Sequence, residues 1–138
     1  EAGLTGHLVA STVHAASAPQ AFTRLLELGV EPYVLTTAIR GVVAQRLVRR
    51  RCTSSDCGES NVICMRCKGM GYHGSTLVAE WLPMTESLRQ AILARGDSQA
   101  LIAAAEQDPT YASLRAQGQR LIDAGVTTRE EVDRVLGK

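Results

Sequence analysis

The segment CTSSDCGESNVICMRC, residues 52–67, holds all four cysteines of the chain (Cys52, Cys57, Cys64 and Cys67) in the spacing C-x4-C-x6-C-x2-C. Four thiolates this close in sequence can converge on one Zn²⁺ ion, which binds four sulfurs in a closed tetrahedral site. Because a polar loop has little core of its own, metal binding would supply its local folding free energy. The alternatives are two disulfides or four ordinary thiols, although a disulfide framework usually spreads its cysteines through a small chain. The segment therefore predicts a zinc loop.

Basic residues surround this cluster. They are Arg46, Arg49, Arg50 and Arg51 ahead of Cys52, and Arg66 and Lys68 beside Cys67. A zinc ion with four thiolates carries net negative charge, and nearby cations favour the deprotonated ligands. No alternating aromatic residues offer stacking platforms for bases. The basic run is therefore interpreted as a solvated face, with contact to phosphate as the alternative, and nucleic-acid binding is not expected.

Length and composition set wider bounds on the chain. Its 138 residues correspond to about one domain, and because only 4% are aromatic, the core must be mainly Leu, Val, Ile and Ala. The net charge of +1 gives no overall electrostatic footprint for nucleic acid or an acidic membrane surface. Thiols kept for a metal indicate a reducing, cytoplasmic setting.

The first residues predict neither a membrane span nor a natural start. Ala2 to Thr23 lacks charged side chains, but polar residues interrupt it, whereas a span needs about 20 predominantly apolar residues. We therefore expect no insertion into a membrane. The chain also opens without Met, inside an apolar run typical of a strand, which indicates a fragment of a longer protein.

The first half of the chain predicts an α/β arrangement. The β-branched run at His7–Val13 is typical of a buried strand, and Thr76–Leu82 of a returning strand whose Trp81 packs near the metal loop. Ser17 is expected to cap a helix that ends at Gly29. Two further segments are Pro32–Ile39, interpreted as a short helix, and Val42–Val48, which fits a strand or a helix equally well.

From Thr85 onward the pattern is helical. Four short helices are predicted, beginning at Thr85, Ser98, Tyr111 and the pair Thr127-Thr128. The last start contains two overlapping capping boxes, Thr127-x-x-Glu130 and Thr128-x-x-Glu131. These helices carry no chemistry of their own and are expected to form packing and partner surfaces.

Thr12 and His14 are the remaining candidates for binding. They lie where the predicted first strand ends, and open α/β sheets bind ligands beyond the carboxyl ends of their strands. A histidine there can donate a hydrogen bond to a phosphate. A lone histidine is, however, more often a satisfied polar residue, so position alone leaves both roles open.

Several runs of residues resemble one known family across essentially the whole chain. They are Thr5–His14, Ala18-Pro19, Thr23–Pro32, Ala44–Arg50, Cys64–Gly74 with its Cys-x-x-Cys and glycines, and Gly125–Val132. In this order they are similar to the part that follows Walker B in type II secretion and type IV pilus assembly ATPases. The run into the cysteines resembles the approach to that family's metal-binding loop.

The resemblance implies a fold and a division of the chain. We expect an α/β protein that is the C-terminal portion of a RecA-like nucleotide-binding lobe, with a cysteine zinc loop and a helical C-terminal subdomain. The expected parts are residues 1–50 for the end of the ATPase lobe, 51–82 for the metal loop and return strand, and 83–138 for the helices. Walker A and Walker B would lie upstream of Glu1, so this fragment alone is not expected to hydrolyse ATP.

The resemblance also implies a function for the full-length protein. It would be a hexameric motor that binds ATP and Mg²⁺ and powers pilus or pseudopilus assembly. His14 would contact or sense the γ-phosphate, with Thr12 beside it. The expected partners are an inner-membrane platform protein and a cytoplasmic recruiting domain, and the expected location is cytoplasmic, peripheral to the inner membrane.

A function of another class fits the same cysteines. A non-enzymatic, zinc-stapled module that binds a protein or a nucleic acid would fold by itself and would have no Walker motifs upstream. A redox protein using Cys64-x-x-Cys67 is a third interpretation, but it needs an exposed thiol of low pKa, and four neighbouring cysteines favour metal ligation.

Overall fold

The computed structural model of the chain describes residues 7–58 and 63–137, which form a mixed helix and strand fold. The elements in these residues are α1 (Ala18–Glu27), α2 (Pro32–Ala38), β1 (Gly41–Arg51), β2 (Tyr72–Pro83), α3 (Glu86–Leu93), α4 (Ser98–Glu106), α5 (Leu114–Asp123) and α6 (Arg129–Leu136). None of the helices in the described residues is long and apolar enough to cross a membrane.

The helix starts follow the predicted caps closely. The hydroxyls of Ser17 and Thr85 accept the backbone N–H three residues along, at 3.5 and 3.2 Å, which satisfies one of the first N–H groups of α1 and α3. Thr128 does the same for α6 at 3.2 Å. The prediction that α4 begins at Ser98 is confirmed, and Asp97 is the residue that caps it. The start of α5 was predicted at Tyr111 but lies at Leu114.

Strands β1 and β2 pair in a two-stranded antiparallel sheet. At one end the N–H of Cys52 donates to the carbonyl of Gly71 at 2.8 Å, and at the other the N–H of Met84 donates to the carbonyl of Arg40 at 3.0 Å. From residue 42 to residue 48, more buried and more exposed side chains alternate, as in a strand with one covered face. The sequence left this stretch open between helix and strand, and the alternation identifies it as a strand.

The strand predicted at His7–Val13 is wrong. Residues 7–15 form neither helix nor strand, and the side chains of Leu8 and Val9 are 97% and 55% exposed. A strand exists only where a neighbour satisfies its backbone groups. The sheet in the described residues consists of β1 and β2 alone and does not include this apolar run.

The described residues group into two compact units, one from the segments 7–44 and 80–113 and one from 45–58, 63–79 and 114–137. We call the first the helical unit and the second the cysteine unit. The division into residues 1–50, 51–82 and 83–138 stays a prediction.

The helical unit is built around one apolar cluster. Its buried members are Ala18, Phe22, Leu35, Leu82, Leu88, Ile92, Leu101, Ala104 and Ala105. Glu80 is fully buried beside them, but its carboxylate accepts the N–H of Ala18 at 3.2 Å and the hydroxyl of Tyr111. Burial raises the pKa of that hydroxyl, and its hydrogen bond to Glu80 raises it further. The buried carboxylate therefore has the partners that its burial requires.

Trp81 was expected near the metal loop and lies elsewhere. Its ring covers Gly41, the first residue of β1, and a Cβ at that glycine would lie 2.2 Å from Cη2 of the indole. Gly41 is thus at the opposite end of β1 from Cys52. The indole remains 51% exposed.

Candidate metal centre

The four cysteines that the sequence singled out come together in the cysteine unit. Their sulfur atoms all lie within 4.8 Å of one another. The Sγ atoms of Cys52 and Cys64 are 3.8 Å apart, and those of Cys57 and Cys67 are 3.7 Å apart. The prediction that these four residues share one site agrees with this arrangement.

These distances distinguish a metal site from disulfides. A disulfide brings its two sulfurs to about 2.0 Å, and all four cysteines are free thiols. A tetrahedral ion with metal–sulfur bonds of about 2.3 Å places its sulfurs roughly 3.8 Å apart. The observed separations match that geometry, so the residues present fit a four-coordinate ion such as Zn²⁺.

Backbone N–H groups of the second cysteine turn are directed at its sulfurs. Those of Arg66 and Cys67 donate to Sγ of Cys64, and those of Gly69 and Gly71 donate to Sγ of Cys67. The turn requires a left-handed residue, and Gly69, with a φ of 80°, supplies it without steric cost. Amide donors of this kind stabilise thiolates, which are the form that binds a metal.

The thiol pKa values reflect this crowding. The hydrogen bond to Cys67, together with burial, raises the pKa of Cys57 to about 12. Burial would also raise the pKa of Cys67, but the N–H of Gly71 and the neighbouring thiols outweigh it and lower the value to about 7. Cys67 therefore ionises more readily than Cys57.

A buried carboxylate anchors the strand that leads into the site. The side chain of Glu131 is fully buried and accepts three hydrogen bonds from Arg49, from its backbone N, Nε and Nη2 at 2.9, 2.9 and 2.6 Å. Arg134 adds two more, from Nε and Nη2 at 2.8 and 2.7 Å. The hydrogen bond from Arg134 and those from Arg49 outweigh burial and hold the pKa of Glu131 well below its ordinary range.

Two further contacts connect β1 and β2 to the start of α6, and a third connects the two strands to each other. Thr127 donates its hydroxyl to the carbonyl of Arg49 at 2.7 Å, and the hydroxyls of Tyr72 and Thr128 lie 2.7 Å apart. The guanidinium of Arg49 also stacks over the Tyr72 ring, 4.3 Å from its centroid. Together with Glu131, these residues hold the ends of β1 and β2 from which the cysteine loop extends.

The structure corrects two predictions, one about the capping boxes and one about the basic run. Thr128 caps α6, but Glu131 does not complete a capping box, since its carboxylate binds the two arginines. Arg49 was counted among the cations around the cluster, and the structure instead pairs it with Glu131. The sequence did not indicate that pairing, because residues 49 and 131 are 82 positions apart.

Thr12 and His14 lie outside this site. Both are exposed and belong to the irregular segment of residues 7–15. Their assignment to nucleotide binding stays a prediction.

Comparison with known proteins identifies the family. A sequence model described as "Type II/IV secretion system protein" matches residues 1–134. The chain belongs to this family. The resemblance drawn from its sequence is thereby confirmed.

Relatives in this family include secretion and pilus proteins. The chain is 40% identical to "Type II secretion system protein HxcR" of Pseudomonas aeruginosa and 39% identical to "Type II secretion system protein E" of Dickeya dadantii, in each case over 98% of its length. It is 38% identical to "Type IV pilus assembly ATPase PilB" of Thermus thermophilus over 96% of its length. It spans 29%, 30% and 17% of these three relatives, so it corresponds to a minor part of each.

Proposed function

We propose that the chain is the C-terminal portion of a hexameric motor ATPase that powers pilus or pseudopilus assembly in type II secretion or type IV pilus biogenesis. The observation that carries the proposal is the family match over residues 1–134. Relatives of the chain are named as a type II secretion system protein and as a type IV pilus assembly ATPase. In this proposal, residues 1–50 end a RecA-like ATPase lobe, 51–82 form the metal loop with its return strand, and 83–138 form a helical subdomain.

The metal ion of the site is proposed to be Zn²⁺. Support comes from four sulfurs at tetrahedral separation and from the softness of thiolate ligands, which suits zinc. Four protein ligands leave no open position for water or substrate, so the ion would have a structural role. It would supply folding free energy to the loop between β1 and β2.

The nucleotide chemistry is proposed for the full-length protein alone. Its upstream half would supply the phosphate loop and the Mg²⁺ site, and water would attack the γ-phosphate of ATP in line. His14, with Thr12 beside it, would contact or sense that phosphate and so report the nucleotide state. Exposed side chains on an irregular segment are free to meet a ligand or a neighbouring lobe, which is consistent with this role.

The partners and the location follow from the same proposal. The motor would engage an inner-membrane platform protein and, in secretion systems, a cytoplasmic recruiting domain. It would work in the cytoplasm, at the periphery of the inner membrane and without inserting into it. Nucleic acid is not a proposed ligand.

The test is hydrolysis of Mg-ATP by this chain beside a version extended upstream to the length of its relatives. We expect turnover from the longer protein and none from the chain alone. In the longer protein, His14→Ala is expected to slow turnover by at least about tenfold, as the loss of a phosphate donor does. His73→Ala is the matched control, because His73 is also exposed but lies on β2.

Two results would contradict parts of the proposal. Unchanged turnover and nucleotide affinity in His14→Ala would remove the role given to His14. A longer protein that lacks turnover even with its membrane partner, combined with specific binding by the chain alone, would favour the non-enzymatic zinc-stapled module instead.

A further inference from the structure

Asp56 connects the two cysteine turns of the metal centre. It immediately precedes Cys57 in the first turn, and its Oδ2 accepts the backbone N–H of Met65, the residue after Cys64, at 3.2 Å. Its Oδ1 accepts the hydroxyl of Ser54 and lies 3.7 Å from Sγ of Cys64. One side chain thus contacts the first turn, the second turn and a ligand sulfur.

The charge of this carboxylate is of the wrong sign for the metal. Four thiolates around a divalent ion already give the site two net negative charges, and a carboxylate beside one of them repels the ionised ligands. The charge of Asp56 by itself would therefore lower the affinity of the site for a metal ion. Its hydrogen bonds act in the opposite direction, because they hold residues 54, 56 and 65 together across the gap between the cysteine pairs.

We propose that Asp56 is a positioning residue of the metal centre, which preorganises the two cysteine turns by accepting the N–H of Met65. Outer partners of this kind orient ligands and typically affect metal affinity by about 10- to 100-fold. The proposal rests on the four cysteines binding a metal ion. It goes beyond the motor function, since it assigns a role to a residue that is not a ligand.

The experiment uses the reduced full-length protein with Co²⁺ as a spectroscopic probe and Zn²⁺ in competition with a chelator. Asp56→Ala removes the acceptor and is expected to weaken binding of both ions by about 10- to 100-fold. Asp56→Asn keeps an acceptor for Met65 and removes the charge, so we expect an affinity within about threefold of the unmodified protein, or tighter. The cobalt–thiolate spectrum at saturation should match the unmodified protein in the Asn variant and be altered in the Ala variant.

Asp108→Ala is the matched control. Asp108 is also a turn carboxylate, and it accepts the N–H and the hydroxyl of Thr110 at 2.8 and 2.7 Å in the helical unit. Its loss is expected to leave metal affinity within about threefold of the unmodified protein, because both of these hydrogen bonds lie within the Asp108–Thr110 turn.

Two outcomes would overturn the proposal. One is an Asp56→Ala affinity within threefold of the unmodified protein, and the other is an Asn variant as weak as the Ala variant. If Asp56→Ala does not fold, Ser54→Ala takes its place, with an expected loss of about two- to tenfold, and an unchanged affinity overturns the proposal. ATP hydrolysis is not a readout here, so failure would leave the motor proposal standing, whereas failure of the unmodified protein to bind Co²⁺ would instead remove the metal site.

Discussion

The helical unit and the cysteine unit obtain their stability by different means. In the helical unit nine buried apolar residues form one cluster that includes Phe22. In the cysteine unit the described buried apolar residues, apart from two cysteines, are Val48, Val78, Leu114 and Val132. The second unit relies on polar connections instead, with a buried Glu131 between two arginines and four thiols at metal-binding distance. A small apolar core is sufficient where a metal and an ion-pair network replace it.

Metal removal is expected to give the largest difference between the two units. Zinc binding is worth about 10–16 kcal/mol in small zinc-finger peptides, far more than any single contact here. After chelation under reducing conditions, we expect amide hydrogens of residues 45–58, 63–79 and 114–137 to lose protection, while those of α1, α3 and α4 keep it. Hydrogen exchange followed by mass spectrometry measures both units in one sample.

Cys64→Ser without a chelator is the control for that experiment. It removes one buried ligand and should reproduce the same regional loss. If protection falls equally in both units, the two do not differ in what stabilises them, and the comparison is wrong.

Phe22→Ala tests the helical unit. Phe22 is fully buried in the apolar cluster, and removing a buried phenylalanine ring costs about 3–5 kcal/mol. We expect the free energy of unfolding of the helical unit, measured with denaturant, to fall by that amount. The affinity of the cysteine unit for cobalt should not change. Tyr33→Ala, at a side chain that is 71% exposed, is the control and should change the unfolding free energy by less than about 0.5 kcal/mol.

Glu131→Gln gives the smallest of these effects and carries a pH signature. Gln keeps the size but loses the charge that Arg49 and Arg134 bind, for an expected cost of about 1–3 kcal/mol at pH 7. The pKa of Glu131 is lower in the folded chain than in the unfolded one. The ionised carboxylate therefore stabilises the cysteine unit at pH values above the ordinary glutamate pKa of about 4.3. That contribution is lost as the pH falls towards the folded-state value. The difference in unfolding free energy between the two proteins should therefore shrink below about pH 4.3.

Two features make this pH measurement specific. Both proteins have the same cysteines, so loss of the metal in acid affects both equally and cancels in the difference. Glu27→Gln is the matched control, since Glu27 is 57% exposed in an ion pair with Arg24 and should change stability by less than about 0.5 kcal/mol. A difference that stays constant from pH 7 to pH 3 would contradict the assigned role of Glu131.

Local signals in the sequence predicted the parts of the structure that local chemistry determines. The hydroxyls of Ser17, Thr85 and Thr128 cap helices because each bonds to an N–H three residues away. The cysteines could be grouped because 16 residues of loop confine them. Such features need no knowledge of distant residues.

Features that depend on distant partners could not be predicted in this way. The apolar run at His7–Val13 has the composition of a strand but has no strand beside it in the described residues. Glu131 fits a capping box locally, yet it lies against Arg49, and Trp81 lies over a glycine 40 positions earlier in the chain. The hydrogen bond between Asp56 and Met65 could not be predicted either, because only the folded loop brings Met65 to Asp56.

The contact between Trp81 and Gly41 gives the protein a fluorescence reporter. Trp81 is the single tryptophan of the chain, and both residues belong to the helical unit. Intrinsic indole emission therefore originates in the unit with the apolar cluster, while the absorption of cobalt bound to thiolates would originate in the other. Unfolding of the two units can be followed at separate wavelengths without attaching a dye.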